Sequence, residues 1–97
     1  MYEKILEPVV NDYVVFDFET TGMKPGINNI IEIGAVKVIK GEISGIFNTL
    51  INPEQFIPYY ITNITHISND MVADKESIKE VLPKFVSFMG DLPLIAH

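Results

Sequence analysis

Phe16-Asp17-Phe18-Glu19-Thr20-Thr21-Gly22 sets two carboxylates two positions apart at the end of an apolar run. The approach, Tyr13-Val14-Val15-Phe16, is β-branched and aromatic, so the segment reads as a strand. Strand side chains alternate between faces, which puts Asp17 and Glu19 on one side and Val14, Phe16 and Phe18 on the other. The two acidic Cα atoms then lie roughly 6.6 Å apart. Ionised carboxylates at that range repel each other unless a cation sits between them. Oxygen-only ligands suit a hard ion such as Mg²⁺ or Mn²⁺.

An Asp-x-Glu on a strand is common by chance, and by itself it is usually a solvated face. Three features favour metal. The acids cap an apolar strand instead of alternating along a polar one. Thr20-Thr21-Gly22 then adds two hydroxyls and a glycine, suited to a tight turn whose backbone approaches a ligand. A second apolar strand, Ile30-Ile31-Glu32-Ile33-Gly34-Ala35-Val36, follows about a dozen residues later.

The 97 residues allow one small domain, and a hydrophobic fraction of 47% is that of a globular chain. No apolar run approaches the length of a membrane span, and the N-terminus lacks a signal pattern. Zero cysteines exclude disulfides, thiolate zinc sites and thiol nucleophiles, and fit a cytoplasmic protein. The net charge of −6, from seven lysines, no arginine and thirteen acids, excludes a guanidinium clamp on phosphate. It also argues against a passive DNA-binding module held by phosphate contacts alone. Divalent cations would offset the acidity locally, so a metal-dependent nuclease stays open.

Along the chain, residues 1–12 form a mixed lead-in with breaks at Pro8 and Asn11-Asp12. Strand one is expected over about Tyr13 to Glu19, a loop over Met23 to Asn29, and strand two over Ile30 to Ile39. The turn Lys40-Gly41-Glu42 predicts a hairpin with strand three, about Glu42 to Ile51, ended by Asn52-Pro53. Thr62 and Ser68 are each placed to cap a short helix, over Asn63 to His66 and Asn69 to Val72. Ser77-Ile78-Lys79-Glu80 has the form of a capping box. Behind it Ile78, Val81, Leu82, Phe85, Val86 and Met89 recur at helical spacing up to Gly90, with Phe85, Phe88 and Met89 as core. Pro83 conflicts with that helix, so it either starts later or kinks. Leu92 to His97 opens another apolar strand. A strand–helix–strand order predicts a right-handed parallel crossover, with the last strand beside strand one and its far end close to Asp17 and Glu19.

These residues together resemble the DEDD-type 3′–5′ exonucleases, the superfamily of the proofreading epsilon subunit of bacterial DNA polymerase III. Phe16 to Gly22 looks like that family's first motif. Ile30 to Val36 and Phe47 to Pro53 resemble its second and third strands, and Ile61 to Ser68 with Met71-Val72 its substrate-side loop and short helices. Leu94-Ile95-Ala96-His97 resembles the lead-in to its second motif. The likeness runs over positions 13–97, and is nearest to the exonuclease domains of Gram-positive replicative polymerases and of exonuclease–helicase fusions.

The resemblance implies an α/β fold of ribonuclease H-like type, a mixed sheet with flanking helices. In the family a second motif, Asn-x-x-x-Phe-Asp, and a third with Asp and usually His come later. The expectation is therefore a partial domain over 1–97, the N-terminal half, inactive by itself and prone to self-association through exposed sheet edges. By resemblance Asp17 and Glu19 are metal ligands for two divalent cations, Mg²⁺ or Mn²⁺. Thr20, Thr21 and Gly22 would contact the terminal nucleotide, and Thr65, His66 and Ile67 its sugar and base.

The family's base belongs to its third motif, so neither His66 nor His97 takes that role. His66 stands where relatives often carry glycine and is a pocket wall or an exposed loop residue; His97 would support the second motif. Glu32 is structural, either buried with partners or at a sheet edge. The implied reaction is exonuclease hydrolysis at single-stranded DNA 3′ ends in proofreading, replication or repair. A DNA polymerase or helicase would be the partner, in cis or in trans, with no membrane involved. The rivals are an RNA-trimming exoribonuclease and a non-catalytic interaction module.

Overall fold

The structure, a computed structural model, describes residues 11–24 and 26–97. Most of the expected lead-in, including Pro8, and Pro25 of the expected loop lie outside the described residues. β1 covers Tyr13–Thr20, β2 Ile30–Ile39, β3 Glu42–Leu50 and β4 Leu94–Ala96. α1 covers Tyr59–Thr65, α2 Asn69–Val72 and α3 Ile78–Met89.

The four strands form one sheet in the order β3-β2-β1-β4. β1 and β2 are antiparallel, as are β2 and β3, whereas β4 runs parallel to β1. Lys40 and Gly41 both have positive φ (52° and 77°), the requirement of a two-residue type I′ turn, and this fixes Ile39 opposite Glu42. Asp12 Oδ1 accepts from Lys40 N at 2.7 Å and holds the tip of the hairpin. The parallel crossover through α3 brings β4 beside β1, with Val14 N bonded to Pro93 O at 2.9 Å and His97 N to Phe16 O at 2.9 Å.

Two cores result. The larger joins Val14, Ile33, Ala35 and Ile51 of the sheet side to Val81 and Phe85 of α3. Phe85 packs edge-on against Phe16 and Phe18 and at a tilt against Phe47, with ring centroids 5.5–6.4 Å apart. Each fully buried side chain of this size contributes roughly 1.5–3 kcal/mol. Phe88 and Met89 pack at its margin, as their spacing predicts. The smaller core holds Ile31, Ile57, Ile61, Ile67 and Val72 and attaches α1 and α2 to one end of the sheet.

α2 starts at its expected cap, with Ser68 Oγ accepting from Met71 N. At α3 the Glu80 carboxylate reaches back to Ser77 N at 3.2 Å. The helix runs on through Pro83 from Ile78; Lys79 and Pro83 are both exposed, so the carbonyl that loses its donor faces water. α1 departs from expectation. It begins at Tyr59 behind Pro58, whose φ of −60° already suits a helix start. Thr62 is therefore inside the helix, where its hydroxyl donates to Ile67 O at 2.9 Å.

Candidate active site

β1 delivers Asp17 and Glu19 to the sheet face opposite α3. Their cross-strand partners are Gly34 and Glu32, and cross-strand partners share a face. Asp17 is exposed, and a side chain at Gly34 would meet nothing within 4 Å, so the surface beside Asp17 is open. Glu19 and Glu32 are both half-buried. The ladder slips just after Glu19, where Thr20 pairs with Ile30 and leaves Ile31 without a partner. Ile31 turns fully into the smaller core, and this bulge ends the strand pairing at the acids.

Glu32 thus joins the pair as a third acid from the central strand β2. Its pKa is raised, first by burial, then by the charge of Glu19 and then by that of Asp17. Among the described residues no lysine pairs with these three acids: the lysine ion pairs are Lys75–Asp74 and Lys84–Glu76, and Lys37 lies over the Phe88 ring at 4.6 Å. An all-oxygen set of acids that no lysine offsets among the described residues fits a hard divalent cation. Among the described residues no three acids or histidines are placed to hold one metal ion together, so Asp17, Glu19 and Glu32 do not form a closed ligand set.

His97 lies next to Asp17. Val15, Asp17, Gly34, Val36, Asn48 and His97 line a shallow depression of about 300 Å³ across β1, β2 and β3, with His97 just beyond the end of β4. Its floor is mostly apolar, with Asp17, Asn48 and His97 as its polar groups.

The turn after Glu19 is fastened inward. The Thr20 hydroxyl donates to Gly22 O. Thr21 is 1% exposed, its hydroxyl donates to Gln55 Oε1, and it accepts from Asn29 N at 3.0 Å. Gln55 Oε1 also accepts from Asn29 N at 3.2 Å, while Gln55 Nε2 donates to Ile27 O at 3.1 Å. Gly22 lacks a side chain for a steric reason. A Cβ there would sit 2.7–2.8 Å from the Asn28 amide, which is held by Lys24 N at 2.9 Å.

α1 packs through Ile61 near Ile31 and Leu50, the neighbours of Glu32 along β2 and across in β3. Its last turn therefore stands at the acidic end of the sheet. The Thr65 hydroxyl donates to Ile61 O at 2.9 Å and accepts from Ile67 N at 3.2 Å. His66 caps the helix with φ 63°, the left-handed conformation that favours glycine, and its ring is exposed. Ile67 is 3% exposed and belongs to the core.

Of the expected nucleotide contacts, then, the side chains of Thr21 and Ile67 are buried as supports, while Thr20, Gly22, Thr65 and His66 remain at the surface or half-buried. Sequence reasoning assigned Glu32 a structural part and passed over Gln55. The Lys40-Gly41 turn sets the register of β2 with β3 and not with β1, so it carries no signal that Glu32 faces Glu19. No local pattern marks Gln55.

Residues 14–97 match the family model RNase_T, described as Exonuclease. The chain belongs to this exonuclease family. It is 51% identical over 87 residues to the DNA polymerase III PolC-type of Clostridium perfringens (strain 13 / Type A), covering 90% of this chain and 6% of that protein. With the PolC-type polymerase of Thermotoga maritima it shares 47% over 85 residues, again 6% of the relative. The chain thus spans about 6% of the length of these curated relatives. Among solved structures, exonuclease X in complex with 5′ overhanging duplex DNA superposes with a TM-score of 0.75 at 33% identity, over 88% of this chain and 48% of that one. Exonuclease I (apo) superposes with a TM-score of 0.78 at 15% identity, over 91% of this chain and 21% of that one, which shows the fold alone. The mixed sheet with flanking helices and the membership of an exonuclease family are those expected from residues 13–97.

Proposed function

We propose that this exonuclease chain contributes Asp17 and Glu19 to a two-cation centre that hydrolyses phosphodiester bonds at single-stranded DNA 3′ ends. The observation that carries the reading is the acidic set Asp17, Glu19 and Glu32, which no lysine offsets among the described residues. When bound, divalent cations supply charge stabilisation at the phosphate and an activated water. The residues of the chain hold and frame them. Asp17 and Glu19 are the ligands, and Glu32 adds negative potential beside Glu19. Thr20 shapes the turn through its bond to Gly22 O, so that turn and the exposed end of α1, Thr65 and His66, flank the terminal nucleotide. Thr21 and Ile67 act on the nucleotide only through the backbone they support.

DNA is the favoured substrate because the PolC-type relatives are DNA polymerases by name and exonuclease X was solved with DNA. The same relatives support the reading of a proofreading role beside a polymerase, in cis or in trans, and of a cytoplasmic setting. Among the described residues no helix is long and apolar enough to cross a membrane.

The test is the full-length protein with 3′-labelled single-stranded DNA and Mg²⁺, against a matched RNA oligomer. Mononucleotide release from DNA is expected, and Asp17→Ala should lower it about a hundredfold or more, equivalent to a few kcal/mol of transition-state stabilisation. Release undiminished in Asp17→Ala overturns the ligand assignment, and faster release from RNA overturns the substrate.

A further inference from the structure

Gln55 lies outside the acidic motif, on the segment between β3 and α1, and its side chain spends every polar atom on the loop that leaves the acids. Its carbonyl oxygen accepts from the Thr21 hydroxyl and from Asn29 N, and its amide donates to Ile27 O. A fourth bond, Asn29 Nδ2 to Pro53 O at 2.9 Å, ties the same two segments. The far end of the Gln55 segment is fixed in turn. Ile57 N donates to Asn69 Oδ1 at 2.8 Å, and Asn69 Nδ2 donates back to Ile57 O at 3.1 Å. Hydrogen bonds at both ends, joined by the backbone of residues 55–57, therefore tie the Thr20–Gly22 turn through Gln55 to the start of α2, with α1 lying between Ile57 and Asn69 in the chain.

This linkage joins the two elements flanking the proposed nucleotide site. One is the turn directly after Glu19; the other is the helix that ends in Thr65 and His66. Neither is held to the other by a strand ladder: β1 pairing stops at Thr20, and α1 meets the sheet only through the smaller core. The contacts of that core are apolar and non-directional, so they resist separation but set no register. Hydrogen bonds have geometry, and a side chain whose two ends bond in three directions sets both distance and angle. Thr21 is buried to 1% exposure, so its hydroxyl has no water to fall back on if Gln55 is lost.

From this, and resting on the exonuclease reading above, we propose that Gln55 is a positioning residue for substrate binding: it fixes the spacing between the Thr20–Gly22 turn and α1. It touches neither the proposed cations nor the reacting phosphate. Its loss should weaken capture of the 3′ end while leaving the acids, which β1 holds through its ladder with β2, in place.

The experiment measures KM and kcat of the full-length protein on a 3′-labelled single-stranded DNA oligomer for wild type, Gln55→Ala, Thr21→Val and the double variant. KM should rise about five- to tenfold in each single variant with kcat within twofold, and the double variant should be no worse than either single. Thr21→Ser, which keeps the donor, should recover most of the KM lost in Thr21→Val. A merely structural role would lower the active fraction and hence the apparent kcat, leaving KM alone. Amide hydrogen exchange gives a second reading should a variant be poorly folded. Exchange at residues 20–29 should quicken in Gln55→Ala while α3 stays protected. An active wild type with KM unchanged in Gln55→Ala, multiplicative effects in the double variant, or unchanged exchange at 20–29 overturns the positioning role alone. A wild type that releases no nucleotide overturns the exonuclease reading and this role with it.

Discussion

Glu32 stands directly across from Glu19 on the neighbouring strand, so the acidic face of the sheet ends in one half-buried carboxylate facing another. Apolar strands normally avoid like charges in opposed positions, because each raises the cost of ionising the other. The pairing is tolerable in a fold that offers the acids a cation, and it explains why the pKa of Glu32 is raised by burial first and by its acidic neighbours next.

A raised pKa in the folded state means that the folded protein holds this proton more tightly than the unfolded chain. The stability that Glu32 contributes is therefore complete below the ordinary glutamate value of 4.5 and is lost as pH climbs through its folded pKa. In EDTA, Glu32→Gln should melt above wild type at pH 7, with the gap closing towards pH 4. Thermal melts across that pH series check it, and a gap that stays constant with pH would count against the account.

Cation binding to the folded state should appear as stabilisation. At a hundredfold excess over Kd, Mn²⁺ should stabilise the full-length protein by about 2.7 kcal/mol. Asp17→Asn and Glu19→Gln should lose most of that gain while folding normally without metal. Thermal shift with and without Mn²⁺ reads the difference directly; an equal gain in Asp17→Asn would remove the acids from the ligand set.

Gly22 is fixed by its neighbour. A Cβ at this position would lie 2.7–2.8 Å from the Asn28 amide. Gly22→Ala should push Asn28 off Lys24 N and cost roughly 1 kcal/mol, the worth of one hydrogen bond. Asn28→Ala should cost about the same, and the double variant no more than either, since both remove one contact. Urea denaturation of the four proteins tests the cycle.

His66 holds a left-handed cap, at φ 63°, that costs a residue with a Cβ about 1–2 kcal/mol. Glycine there gives back part of that gain through its greater unfolded-state freedom, so His66→Gly should be more stable by up to about 1 kcal/mol. Under the proposed function His66 flanks the nucleotide without accepting a proton, so it should also be dispensable for the chemical step. A hundredfold fall in kcat for His66→Gly would mean that its imidazole acts on the reaction.

Short-range chemistry left much of this molecule open to reading. Alternation along Tyr13 to Glu19 gives β1 and its two faces, Lys40-Gly41 gives the hairpin, and Ser68 and Ser77 start α2 and α3 where their caps predict. The start of α1 is the local miss: the fixed φ of Pro58 outweighed the hydroxyl of Thr62 as a beginning. Each of these features is decided by residues a few positions apart, whose geometry the backbone fixes without help from the rest of the chain.

The composition of the site was decided otherwise. Whether Glu32 meets Glu19 depends on strand register, which a shift of one residue would reverse. Thr21 and Ile67 look like surface contacts in a motif, yet one is locked to Gln55, 34 positions away, and the other closes a core built from four separate segments. Asp17 and Glu19 were set on one face by the sequence alone. What surrounds them, a third acid, a buried hydroxyl and a glutamine bracing the turn, was decided by long-range pairing, because no local preference specifies which distant side chain fills a given hydrogen bond.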